Sequence, residues 1–202
     1  MDDARWNTFL HFVDQCGGGH TGCCPNVIGK MIKLLPGCLD EKVNNKALVV
    51  GAGVGNGERK ELEARGYVVT QVDLIPQNEA IIRGDMHDLP FQTGFFDVVI
   101  YNQVFEHSIC PLMALFESNR VLKIGGIAAF AWPDVIERWV KDPQHYSVFN
   151  RLQMESLLNR LSFVVSHYEK VSEDGSKAEE QQMQVLLACK INEPFRMVHG
   201  PA

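Results

Sequence analysis

No stretch of this chain approaches the roughly 18 to 20 consecutive apolar residues that a membrane-spanning helix needs. The acidic opening Met1-Asp2-Asp3 leads into no apolar core of a signal peptide. The expectation is a cytoplasmic protein with no membrane partner. Basic charge is also in short supply: 19 Lys and Arg face 25 Asp and Glu, a net charge of −6, and no basic cluster breaks the pattern. A nucleic-acid binder usually shows a basic stripe, so no nucleic acid is expected as partner. Neither internal repeats nor low-complexity tracts occur. The 202 residues suffice for one sizeable core but not for a nucleotide domain plus a full substrate domain, which weighs against a two-domain dehydrogenase. A disulfide framework is missing too. The six cysteines, at 16, 23, 24, 38, 110 and 189, read as free thiols, with Cys110 and Cys189 in apolar surroundings.

What is present is organised around residues 46–57, K-A-L-V-V-G-A-G-V-G-N-G. A short apolar run enters Gly51, Ala52, Gly53, Gly55 and Gly57, and good helix formers follow through residue 65. That is a strand, a tight glycine turn and a helix. Such a turn needs backbone conformations that side chains forbid, and it lets the backbone approach a ligand. The helix N–H groups then face that ligand. The next apolar run, 67–72, ends at Asp73 followed by Leu74. An acidic residue about 20 positions past the glycines, at the end of a second strand, suits the hydroxyls of a ribose. The pair points to a nucleoside cofactor without naming it.

Ahead of this unit, Trp6, Phe9, Leu10 and Val13 recur at helical spacing, and a second helix is predicted from Pro25, carrying Val27, Ile28, Met31, Ile32 and Leu35 up to Pro36-Gly37. Residues 1–40 are expected to form a helical lid over the ligand. Between the helices, Cys16, His20, Cys23 and Cys24 have spacings a metal can use, but structural zinc takes two separated ligand pairs. The segment is therefore read as a flexible loop, and no metal site is expected. Downstream come short strands at 80–83 and 96–101, a helix from Pro111 to Lys123 closed by Gly125-Gly126, a strand at 127–132, a helix at 151–161, and strands at 163–171 and 183–191 around a polar turn. That short turn makes the last two strands antiparallel. Strands alternating with helices give a mostly parallel, doubly wound, Rossmann-like α/β sheet of seven strands with an antiparallel last strand and helices on both faces. The chain reads as one domain, with a core at 46–191 and a flexible tail at 192–202. Ligands of such sheets bind beyond the carboxyl ends of the strands, where the glycine turn, Asp73, Asp85-Met86 and residues 102–107 all fall. Asp97, at the opposite end of its strand, reads as structural.

As an ordered set, L-V-V-G-A-G-V-G at 48–55, Asp73, G-D-M-H-D-L-P-F at 84–91, F-D-V-V-I-Y-N-Q-V-F-E-H at 96–107 and R-V-L-K-I-G-G at 120–126 resemble the class I S-adenosylmethionine-dependent methyltransferases, small-molecule type, over about 46–190. The resemblance implies that Gly51, Ala52, Gly53 and Gly55 wrap the methionine part of S-adenosylmethionine, while Asp73, with Leu74 beside it, holds the ribose. It also implies that Asp85 accepts from the adenine amino group, that Met86 donates its backbone N–H to the ring and packs on its face, and that Asn102 and Gln103 lie near the sulfonium. The bottom-up chemistry agrees: a carboxylate accepts from an exocyclic amine, and a soft side chain covers an aromatic ring. One departure is Leu161-Ser162-Phe163, where the family usually enters its sixth strand through Gly-Phe.

Methyl transfer from a sulfonium needs alignment first, and a base only if the acceptor must lose a proton. The candidates for that base are His107, after the fourth strand, then His145 and Tyr146, with His20 behind them. The expected enzyme transfers a methyl group to oxygen or nitrogen of a small molecule and is a monomer or homodimer. Two other readings stand beside it. One is a catalytically silent S-adenosylmethionine-binding partner or regulatory subunit, distinguished by a closed acceptor cavity. The other is a nicotinamide-dependent oxidoreductase, in which G-D-M-H-D-L-P-F has no role.

Overall fold

In the structure, a computed structural model, residues 25–35, 45–54, 57–172 and 182–193 are described. The apolar run at its centre forms β1 (Lys46–Val50), and side chains alternate across it: Ala47 and Val49 face one core, Leu48 and Val50 the other. That is the period-2 geometry of a strand covered on both faces. Parallel pairing joins β1 to β2 (Val68–Asp73) and to β4 (Phe96–Asn102), β2 to β3 (Ile82–Arg83), and β4 to β5 (Leu122–Pro133). At the far side β7 (Gln182–Lys190) runs antiparallel to both β5 and β6 (Phe163–Ser172). The seven-stranded order is β3-β2-β1-β4-β5-β7-β6. The chain works outward from β1 to β3 and then returns to place β4 on the other side of β1. The crevice at that switch lies between the turns following β1 and β4.

One face of the sheet is covered by α1 (Pro25–Leu34) and α2 (Gly57–Glu63), the other by α3 (Pro111–Val121) and α5 (Arg151–Arg160); a single turn, α4 (Glu137–Val140), lies in the connection between β5 and α5. Val27, Ile28, Met31, Ile32 and Leu35 are buried against Val49, Ile100, Val185 and Leu187. The apolar stripe of α1 matches the apolar sheet face, and each buried aliphatic side chain contributes about 1.5–3 kcal/mol there, so the helix is part of the core. The earlier predicted helix, with His20 and Cys16, Cys23 and Cys24, lies outside the described residues, as do Gly55 and the tail from 194.

Asp97 joins strand starts on the edge opposite the crevice: its Oδ2 accepts from the Lys46 backbone N–H at 2.8 Å and its Oδ1 from Lys123 Nζ at 2.7 Å. Strand β5 begins earlier than predicted. Leu122 pairs with Phe96 but Ile127 with Val98, so 123–126 form an irregularity within the strand rather than a helix stop. Cys110 is exposed rather than apolar-packed, and both described cysteines are free. Among the described residues no helix is long and apolar enough to cross a membrane.

The Leu161-Ser162-Phe163 departure has a physical consequence. Ser162 adopts φ 60°, in the left-handed region, while its carbonyl accepts from Ile191 N–H. A β-carbon in that region costs roughly 1 kcal/mol. Ser162→Gly is therefore expected to raise stability by about 0.5–1 kcal/mol, read as a higher urea midpoint with unchanged slope.

Candidate functional site

After β1 the chain turns sharply: the Gly51 and Ala52 N–H groups both donate to the Val72 carbonyl, at 2.9 and 3.3 Å. Gly51 and Gly53 have φ of +70° and +55°. A β-carbon on Gly51 would lie 2.3 Å from Cγ2 of Val104, whereas one on Gly53 would meet nothing within 4 Å. Gly51 is thus required by packing, and Gly53 leaves an open backbone surface on the crevice side of the turn. Gly51→Ala is expected to cost about 2–4 kcal/mol in urea unfolding, from strain and overpacking together. Adding Val104→Ala should recover the overpacking share, so that the double variant is more stable than the sum of the single losses predicts.

Asp73, at the end of β2, links the two turns. Its Oδ2 accepts from Gly53 N–H and its Oδ1 from Ile75 N–H, both at 2.8 Å. The carboxylate is half-buried beside the glycine turn, and each of its oxygens retains a second lone pair.

The loop 84–91 is held from three directions. Gly84 N–H donates to the Asp73 carbonyl. Asp85 is buried, and its Oδ1 accepts from the His87 backbone N–H at 2.9 Å and faces His87 Nδ1 at 2.6 Å. The other imidazole nitrogen meets Ser108 Oγ at 2.8 Å, which ties the loop to the segment after β4. Burial alone would raise the Asp85 carboxyl, but the His87 hydrogen bonds and charge outweigh it and hold its pKa below the ordinary value. From α3, Glu117 accepts the buried Leu89 N–H, while Arg120 donates to the Leu89 and Phe91 carbonyls and pairs with Glu117. Met86 packs against the core at its rim.

Strand β4 delivers Asn102 and Gln103. Asn102 Nδ2 donates to Oε1 of Glu58, a buried acid in the first turn of α2, at 2.7 Å. Its Oδ1 is buried with no partner among the described residues. Gln103 has φ 53° and its N–H donates to the Ala131 carbonyl, so the chain leaves the sheet abruptly at the crevice. Backbone strain of this kind concentrates at functional sites.

A single turn, Phe105–His107, follows. The Glu106 carbonyl accepts from the backbone N–H of both Tyr146 and Ser147, which clamps the β5–α5 connection over this turn. The Glu106 side chain is only 2% exposed, its Oε2 has no partner among the described residues, and burial pushes its carboxyl up to about 8. His107 Nδ1 lies 2.9 Å from the Gln144 carbonyl and His145 Nδ1 lies 3.1 Å from that of Trp139. The two rings meet edge-on with centroids 5.1 Å apart. A carbonyl only accepts, so in the neutral rings Nδ1 carries the hydrogen and Nε2 the lone pair.

The structure thus gathers Gly51, Ala52, Gly53, Asp73, Leu74, Asp85, Met86, Asn102 and Gln103 on the carboxyl side of β1, β2 and β4. His107 and His145 are brought together by the clamp, with the exposed Tyr146 next to them. Sequence reasoning missed Glu58, His87, Glu117 and Arg120. Their signals were an acid in the first turn after the glycines, an imidazole two residues from Asp85, and an i, i+3 Glu–Arg pair on the helix behind the loop.

Residues 48–130 match the methyltransferase domain family. S-adenosylmethionine is the cofactor of that family. No curated protein matches the chain. Among solved structures, the chain from Haloferax volcanii found in complex with the Trm112 methyltransferase activator superposes with a TM-score of 0.69 at 15% identity, covering 86% of this chain and 91% of that one. The 1,6-didemethyltoxoflavin N1-methyltransferase of Burkholderia thailandensis, solved with S-adenosylhomocysteine, gives 0.65 at 16% identity over 85% and 80%. The [4+2]-cyclase SpnF gives 0.62 at 16% over the same shares. Identities this low establish the fold alone, and the cyclase illustrates that one fold serves several chemistries.

Proposed function

We propose that this protein transfers a methyl group from S-adenosylmethionine to an oxygen or nitrogen of a small-molecule acceptor. The observation that carries the reading is the Asp73 carboxylate, hydrogen-bonded to Gly53 N–H at the carboxyl end of the sheet, together with the buried, unpartnered Asn102 Oδ1 at the end of β4. A nucleoside with a cationic amino-acid arm fits that donor set. Asp73 accepts from the ribose hydroxyls. Asp85, kept ionised by His87, accepts from the adenine amine while Met86 covers the ring. Asn102 Oδ1 accepts from the ammonium of the methionine part, with Glu58 behind it supplying negative charge. Gly51, Ala52, Gly53 and Gly55 let the backbone approach, and Leu74 and Gln103 border the pocket.

The cofactor supplies a methyl carbon activated by a sulfonium leaving group. The chain's part is to hold the acceptor lone pair in line with that carbon, which supplies most of the rate enhancement such a displacement needs. A hydroxyl or ammonium acceptor must also give up a proton. His107, His145 and Tyr146 border the acceptor end, and a neutral imidazole with its lone pair on Nε2 receives it.

The test is isothermal titration of the full chain with S-adenosylmethionine, S-adenosylhomocysteine and NADH, followed by transfer of a labelled methyl group into a panel of small phenols, amines and carboxylates. Binding of both sulfur cofactors with turnover on a small acceptor is the expected result. Binding of NADH alone overturns the reading. Sulfur-cofactor binding without turnover on any acceptor marks the silent partner instead.

A further inference from the structure

Glu106, His107 and His145 form a cluster that the methyl-transfer reading leaves underused. One oxygen of Glu106 and one ring nitrogen of each histidine lie within 4.8 Å of one another. They come from two segments, 105–107 and 144–147, locked together by the paired Tyr146 and Ser147 hydrogen bonds to the Glu106 carbonyl. The cluster is therefore built by long-range contacts rather than by chance proximity on one exposed loop.

Three features point to the same ligand class. The first is the donor set, two imidazoles and one carboxylate, which suits borderline divalent transition cations such as Zn²⁺ and leaves a coordination position open for water or a substrate oxygen. The second is the orientation of the imidazoles. Each places Nδ1 against a backbone carbonyl, Gln144 for His107 and Trp139 for His145, the outer-shell arrangement that fixes the tautomer and presents Nε2 for metal binding. The third is independent of both: Glu106 is 2% exposed and its Oε2 has no partner among the described residues. A carboxyl buried without a donor either keeps its proton or gives it up to coordinate a cation. Ligands about 2 Å from a shared ion stand roughly 3–3.5 Å apart, so the observed spacing closes by small side-chain rotations.

We infer that Glu106, His107 and His145 bind one divalent transition-metal ion of the zinc class. This departs from the expectation of no metal drawn from the sequence, which weighed only the N-terminal cysteines and His20. It stands independently of the acceptor assigned above. An imidazole nitrogen that ligates a cation cannot also take a proton, so in the metal-loaded protein His107 and His145 position charge and do not act as bases.

The experiment uses the full chain, stripped with a chelator, and a second form carrying Cys16→Ser, His20→Gln, Cys23→Ser and Cys24→Ser to remove the competing N-terminal donors. Co²⁺ is titrated and followed by its visible absorption, and Zn²⁺ by calorimetry and by the melting temperature. The expected result is one equivalent bound in both forms, a raised melting temperature with Zn²⁺, and affinity at least about 10- to 100-fold weaker in Glu106→Gln, His107→Ala and His145→Ala. Glu106→Gln preserves the shape and the neutrality of the metal-free site, so it remains informative if a histidine variant fails to fold. No stoichiometric binding to the stripped wild-type chain overturns the inference. Binding that survives Glu106→Gln at full affinity, or that disappears with the N-terminal substitutions, overturns it equally.

Discussion

Asp73→Ala is expected to weaken S-adenosylmethionine binding by about 100-fold or more in isothermal titration, while lowering the melting temperature by only a few degrees. The two effects separate because the carboxylate has two kinds of partner. Toward the proposed cofactor it would accept from paired ribose hydroxyls, and charge-assisted hydrogen bonds contribute about 1.5–3 kcal/mol each, so losing two gives a factor of roughly 100 to 10,000. Toward its own chain it accepts from Gly53 and Ile75 N–H groups, both on partly open turns. Water replaces it there, leaving a loss of about 1 kcal/mol, or about 2–4 °C for a domain of this size. Asp73→Asn keeps one acceptor oxygen in place and should fall between wild type and alanine. A dissociation constant for Asp73→Ala within threefold of wild type would show that the acid serves only to staple the turns, and would remove the central support for the cofactor site.

The strand pattern was readable because parallel strands buried on both faces leave long apolar runs, as in 47–50 and 96–101, and no other soluble element of that length does. The glycine turn and Asp73 were readable for a related reason: positive φ and a carboxylate at a strand end each restrict the residue type severely. What remained hidden depends on which face of a helix meets which layer. The stripe Val27, Ile28, Met31, Ile32 and Leu35 announces an amphipathic helix without saying what its apolar side meets, and only the structure joins it in one buried cluster with Val49, Ile100, Val185 and Leu187.

The cluster of Glu106, His107 and His145 illustrates the same limit. Glu106-His107 and His145 are 38 positions apart, and nothing in either segment encodes that Glu106 accepts two backbone hydrogen bonds from the other. Pairing of irregular backbone leaves no periodic trace, unlike pairing of strands. Ser162 shows the converse case: the departure from glycine was visible in sequence, and the structure adds that this position takes a left-handed φ.

Glu117→Ala is expected to destabilise the protein by about 3–5 kcal/mol and to weaken cofactor binding as well, although Glu117 touches no ligand. Its carboxylate is nearly buried and holds two groups at once, the buried Leu89 N–H at 2.8 Å and the Arg120 guanidinium at 2.6 Å. Removing it leaves an unsatisfied amide and a partly buried charge without its counter-ion, the costly way to break such a pair. Arg120 in turn holds the Leu89 and Phe91 carbonyls, so the chain Glu117–Arg120–Leu89–Phe91 fixes the end of the 84–91 loop whose beginning carries Asp85 and Met86, the residues proposed to meet adenine. Loosening one end lets the other fluctuate, and the ligand must then restore that order at its own expense. Urea unfolding measures the first effect and calorimetry the second. A double-mutant cycle with Arg120→Ala should give a coupling of about 1–3 kcal/mol, because each residue's partners include the other. Additive losses would mean that Glu117 supports Leu89 and Arg120 supports the carbonyls independently, and that the helix and the loop are joined by two separate contacts rather than by one network.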